Sequence, residues 1–154
     1  PISVHAIVEK VVDNFTLQLE HAGGHITLFL RASVDTVEAD EVHLSNLLTN
    51  LIDNAIKYAR EQVAPQIQID TRCTDKFIQL RVEDNGLGMN RDTLKRIFEK
   101  FYRAHTGNKH NVKGFGLGLS YVKSVTEAMG GTIKAESTYG KGSVFILELP
   151  LQHS

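Results

Sequence analysis

The chain is poor in several things, and each shortage narrows what it can be. It has one cysteine, Cys73, so neither a disulfide framework nor a cysteine-rich zinc site is possible within it. In its strand-like run Cys73 reads as a small buried thiol. Seven histidines are present, but none makes His-x-x-x-His or another compact metal spacing; His5, His21, His25 and His153 read as surface residues. Neither sign of charge is in excess: 17 basic against 18 acidic residues leave a net charge of −1. A bulk electrostatic nucleic-acid binder would be basic. No run approaches the ~18 apolar residues of a membrane helix, and no signal peptide is present. The opening "PISV" lacks methionine, which points to a fragment of a longer protein.

What is there suffices for one packed domain. The chain has 154 residues, of which 42% are apolar, the size and composition of a single globular core. Residues 3–21 carry apolar positions at Val4, Ile7, Val8, Val11 and Phe15, the spacing of one amphipathic helix stopped by Gly23-Gly24. "HITLFLR" at 25–31 is a strand, with a short second strand near Thr36–Glu38. Asp40 is placed to cap a long helix running to about Arg60. "PQIQIDTRC" and "KFIQLRVED" alternate as strands about a Thr74-Asp75 turn, with Gln66, Gln68 and Asp70 facing away from Ile67 and Ile69. A short helix over 90–101 begins at the capping residue Asn90. Periodicity then vanishes in "RAHTGNKHNVK", a loop of about ten residues, longer than most and of the length of a functional lid. "GLSYVKSVTEAMGG" is a helix, and "TIKAEST" and "GSVFILELP" are strands joined by a glycine turn. Hairpins interleaved with helices imply a two-layer α/β sandwich with a mixed, largely antiparallel sheet against about three helices, and not a doubly wound parallel fold.

Three stretches are candidates for chemistry. In "NLLTNLIDNAIKYA", 46–59, asparagine is a costly choice inside a helix, by roughly half a kcal/mol each relative to alanine. Asn50, Asn54 and Lys57 fall within about 60° of arc, largely away from the leucine and isoleucine stripe. Any amphipathic helix has a solvated face, but two amides and an ammonium could also receive Mg²⁺ and a phosphate. In "VEDNGLGM", Asp84 ends a strand and could accept a hydrogen bond from an amino group, while Gly86 and Gly88 allow close backbone approach. The same letters make an ordinary Asp-Asn-Gly turn. In "GFGLGL", Gly114, Gly116 and Gly118 expose peptide donors at a helix start, a favourable place for phosphate oxygens. The dinucleotide fingerprint fails at Leu119, "YGKGS" lacks the Gly-Lys-Ser/Thr of a Walker loop, and the protein-kinase runs are absent. Between the last two stretches, "IFEKFYR" puts Phe98 and Phe101 on one helix face, suited to anchoring a lid, with Arg103 where the lid begins.

In this order the four segments resemble the N, G1, F and G2 boxes of the catalytic and ATP-binding domain of bacterial sensor histidine kinases. "GKGSVFILELP" resembles that family's closing strand. The resemblance covers about residues 3–150 and implies the Bergerat fold shared with DNA gyrase B, Hsp90 and MutL. It implies one domain over 1–154 with an ATP lid at about 102–113, the dimerisation and sensor domains lying outside the chain. It implies ATP and Mg²⁺ as cofactors. Asn54 would bind the metal, Asn50 would help position metal or phosphates, and Lys57 and Arg103 would contact phosphate. Tyr58 would pack near the adenine, Asp84 would accept its amino group, Gly86 and Gly88 would make room for the base, and Ser143 would lie near it. Gly114, Gly116, Leu117, Gly118 and Leu119 would wrap the phosphates, with Lys109 and Lys113 as further phosphate contacts.

Hydrolysing relatives carry a glutamate where Asn50 stands, and an amide cannot serve as a general base for water. The resemblance therefore implies transfer of the γ-phosphoryl to a histidine on a separate dimerising hairpin, since no histidine here matches an acceptor. It implies a response regulator as partner of the full-length protein, no nucleic acid, no membrane contact by this part, and a monomeric isolated domain. The domain would be cytoplasmic, the full-length protein in the bacterial inner membrane. Two other readings remain open: an ATP-hydrolysing gyrase-like or Hsp90-like relative, and a nucleotide-loaded docking module without catalysis.

Overall fold

A computed structural model describes residues 1–99 and 117–152, the side chains of 117 and 118 excepted. A five-stranded sheet has the order β2 (His25–Leu30), β4 (Gln66–Cys73), β5 (Phe77–Asp84), β7 (Gly142–Pro150), β6 (Thr132–Thr138). β2 runs parallel to β4; every other pairing in this sheet is antiparallel. A small second sheet pairs β1 (Ile2–Ser3) with β3 (Thr36–Val37). The mixed sheet and its helical layer are those of the expected sandwich. Five helical segments are described: α1 (Val4–Asp13), α2 (Thr16–His21), α3 (Glu41–Lys57), α4 (Arg91–Arg96) and α5 (Leu117–Ala128).

The core lies between the sheet and the helices. Along β5, Ile78, Leu80 and Val82 are buried, and along β7 Phe145, Leu147 and Leu149; alternation turns this set toward the helices. From α3, Leu44, Leu47, Leu48, Leu51 and Ile52 meet it, and α1 adds Val4, Ile7, Val8 and Val11. Asp40 caps α3 as its spacing predicts, its Oδ1 accepting from the N–H groups of Val42 and His43 at 2.8 and 3.2 Å. Asn90 caps α4 in the same way through Thr93 N–H.

Four details differ from the sequence reading. The helix expected over 3–21 breaks at Asn14-Phe15, where N–H groups bond three residues back to Val11 and Val12. That tighter turn re-aims the chain so that Phe15 and Leu19 both reach the core. Asp70 does lie on the sheet face away from the helices, yet only 4% of it is exposed. Arg31 and Arg72 close over it at 3.5 and 3.8 Å. Cys73 is half-buried rather than buried; a contact with the Ser33 hydroxyl holds its thiol below the ordinary range. His5 is not a free surface residue, because its Nε2 lies 2.7 Å from Thr71 Oγ1 and its Nδ1 3.5 Å from Asp35. His21 and His25 are exposed; His153 lies outside the described residues.

Candidate nucleotide site

The polar side of α3 is graded rather than opposed to its apolar stripe. Asn54 borders that stripe on the helical wheel, Asn50 lies further round, and Lys57 furthest. Accordingly Asn54 is 7% exposed, Asn50 is half-buried and Lys57 is exposed. The Asn54 amide nitrogen is buried without a hydrogen-bond partner among the described residues. Burying an unpaired amide costs stability, so this one is a group that a ligand would satisfy. Lys57 is held by Asp53 at 2.9 Å, one turn back on the same helix.

Asp84 closes β5 on the helix-facing side. Its Oδ1 accepts from Gly86 N–H at 2.9 Å and from Ser143 N–H at 3.3 Å. Burial pushes its pKa up to about 6 against those two donors, with a smaller push from Glu83. Oδ2 has no hydrogen-bond partner among the described residues and remains an acceptor.

The loop after Asp84 is fastened on two sides. Toward α3, Leu87 N–H donates to Tyr58 O at 2.8 Å, and Arg60 Nε donates to Asn85 O at 2.9 Å. The Asn85 side chain accepts from Gln66 N–H and donates to Ala64 O. These bonds bring the C-terminal end of α3, with its amide ridge, to the end of β5. Toward the β6–β7 hairpin, Gly140 N–H donates to Leu87 O and Met89 N–H to Ser137 Oγ. The glycines serve this packing: a Cβ on Gly86 would stand 2.6 Å from Tyr58 O, and one on Gly88, at φ +70°, 2.1 Å from Thr138 O. The neighbours that require glycine here are protein carbonyls.

Other expected site residues fall in varied places. Tyr58 caps the C-terminus of α3 and packs on the core half-buried. Phe98 meets Phe145 edge-on at 6.5 Å. Ser143 is 8% exposed beside Asp84. Leu119 is fully buried, so only its peptide group is available near the start of α5. Arg103, Lys109, Lys113, Gly114 and Gly116 lie outside the described residues, as do Phe101 and the expected lid; of Leu117 and Gly118 only the helical backbone is described. Sequence reasoning passed over three residues: Asp53, legible as an i,i+4 partner of Lys57; Asn85, hidden in ordinary turn letters; and Ser137, which no motif marks. Among the described residues there is no cluster of three or more His, Cys, Asp or Glu that could hold a metal.

The buried Asn54 amide, a strand-end carboxylate and a glycine-fastened loop lie together at one end of this α/β sandwich. Comparison with known proteins gives the family: residues 39–153 match the family of histidine kinase-, DNA gyrase B- and HSP90-like ATPases, to which this chain belongs. The sensor protein RprX of Bacteroides fragilis is 41% identical over 150 residues, covering 97% of this chain but 29% of RprX. The chain thus spans under a third of that relative's length. The catalytic domain of histidine kinase ThkA superposes with a TM-score of 0.81 at 26% identity, covering 97% of this chain and 93% of that one. Full-length ShkA, solved in complex with AMPPNP, gives 0.83 at 26% identity, over all of this chain and 31% of ShkA. Membership of this ATPase family implies that the domain binds ATP.

Proposed function

We propose that this chain is the catalytic domain of a two-component sensor histidine kinase, transferring the γ-phosphoryl of ATP to a histidine on a separate dimerisation hairpin. One observation carries the reading: the buried, unpartnered amide of Asn54 stands on a ridge that has Asn50, and no acid, one turn earlier. A hydrolase needs a base there to activate water. Phosphoryl transfer needs chiefly positioning and charge neutralisation.

The division of labour follows from the side chains. Asp84 Oδ2 accepts the adenine amino group, and Tyr58 packs beside the base. The Asn54 side-chain oxygen is a neutral hard ligand of the kind Mg²⁺ takes when phosphates complete its shell; the metal would supply charge neutralisation. Asn50 orients the same group, and Lys57 swings from Asp53 toward a phosphate. Arg103 and the peptides of Gly114, Gly116, Leu117, Gly118 and Leu119 take the remaining phosphate oxygens. The partners are the dimerisation hairpin and, for the whole protein, a response regulator; ThkA has been solved with the response regulator TrrA. No helix among the described residues is long and apolar enough to cross a membrane. We place this domain in the cytoplasm, with the full-length protein in the inner membrane.

The test is to mix the chain with ATP, Mg²⁺ and the hairpin of the same gene and to look for acid-labile phosphohistidine. Phosphorylated hairpin with little turnover by the chain alone is expected. Rapid ATP hydrolysis by the chain alone would instead favour a gyrase-like motor. Tight nucleotide binding with neither transfer nor hydrolysis would favour a docking module.

A further inference from the structure

We infer that Ser137, outside every motif above, is a specificity-determining positioning residue: it orients the hydroxyl proton of Ser143 and makes the base-facing end of the cleft accept only. The inference rests on the proposed ATP site.

Alternation along β5 and β7 puts Asp84 and Ser143 on the helix-facing side at the same end of the sheet, with Ser143 N–H 3.3 Å from the Asp84 carboxylate. Ser137 faces Ser143 across the β6–β7 hairpin, their oxygens 2.9 Å apart. Ser137 Oγ has two further contacts. Met89 N–H reaches it at 2.7 Å, and it reaches Gly142 O at 3.0 Å. A peptide N–H can only donate and a carbonyl can only accept. The single proton of Ser137 therefore goes to Gly142 O, and the contact between the two hydroxyls must use the proton of Ser143. That leaves Ser143 Oγ with lone pairs and no proton to offer a ligand. Beside it, Asp84 Oδ2 is also an acceptor.

An edge made of acceptors suits a base presenting an exocyclic amino group and repels one presenting a carbonyl. At position 6 an amino purine donates to it, whereas a 6-oxo purine confronts oxygen with oxygen there and can donate only from N1–H. Ser137 touches no nucleotide in this scheme. It acts through Ser143 and through the loop it pins at Met89.

The measurement is calorimetric affinity for ATP and for inosine triphosphate, which differ in the 6-substituent and in the proton that the 6-oxo base carries on N1, with Mg²⁺ throughout. Wild type is expected to favour ATP by about tenfold or more. In Ser137→Ala the Ser143 proton is released to donate, so inosine triphosphate should bind roughly fivefold tighter and the ratio should narrow. Ser137→Thr keeps the hydroxyl and should restore the ratio. Should Ser137→Ala not fold, Ser137→Cys replaces it, because its thiol accepts and donates only weakly, and the same narrowing of the ratio is expected. An unchanged ratio, or equal loss of both nucleotides, in a folded variant overturns the role of Ser137 alone. Wild type that binds no ATP removes the proposed function and this inference with it.

Discussion

Replacing Asp84 by asparagine should strengthen the fold and weaken the site at once. Burial raises the carboxyl from an ordinary 3.8 to about 6. The folded chain thus holds this proton more tightly than the unfolded chain. The sign follows: the native state carries a penalty that is full above about pH 6, shrinks as pH falls, and is gone below 3.8. Its upper size is about 3 kcal/mol. An amide keeps an oxygen for Gly86 and Ser143 N–H and has no charge to desolvate. Asp84→Asn should therefore be more stable at pH 8 by up to that amount and near neutral at pH 4, read by urea unfolding across the range. Nucleotide affinity should move the other way. If only the carboxylate accepts the amino proton, about 90% of sites are competent at pH 7 and about 10% at pH 5, close to a tenfold loss. Calorimetry with ATP and Mg²⁺ should show that loss in wild type and not in Asp84→Asn, whose affinity stays low. Titration of ATP itself is common to both proteins and cancels in their ratio. A stability difference independent of pH would refute the desolvated carboxylate, and a ratio of affinities flat from pH 5 to 8 would refute its contact with the base.

Further expectations concern the metal, the loop and the core. Asn54→Ala should lower ATP affinity more than tenfold with Mg²⁺ present and far less with chelator, measured by calorimetry. Gly88→Ala puts a Cβ 2.1 Å from Thr138 O at φ +70°; a loss of about 2–4 kcal/mol by chemical unfolding is expected, and a loss below 1 would show that the hairpin yields freely. Leu51→Ala, at a site 1% exposed, should cost about 2–5 kcal/mol by the same method.

Much of this was readable one element at a time. Helical spacing located α3 and its apolar stripe, the Asp40 and Asn90 caps followed from local chemistry, and strict alternation located β4 and β5. Where the sequence reading slipped, a neighbour distant in the chain was responsible. Asp70 follows the outward alternation of its strand, but arginines 31 and 72 close over it. Helical periodicity runs through Asn14-Phe15, but the core needs the chain turned there. His5 looked like a polar end residue until Asp35 and Thr71 met it.

The candidate site divides along the same line. Its residue types and order stand in the sequence, because the amide ridge, the strand-end acid and the glycine runs are each contiguous patterns. That the Asn54 amide nitrogen lacks a partner among the described residues, that Asp84 is desolvated, that Gly86 and Gly88 are required by the carbonyls of Tyr58 and Thr138, and that Ser137 meets Ser143 were decided only when the sheet paired and α3 packed on it. Periodicity and capping depend on bonds within a few residues. Burial, close backbone approach and the direction of a hydroxyl proton depend on atoms that only tertiary packing brings together.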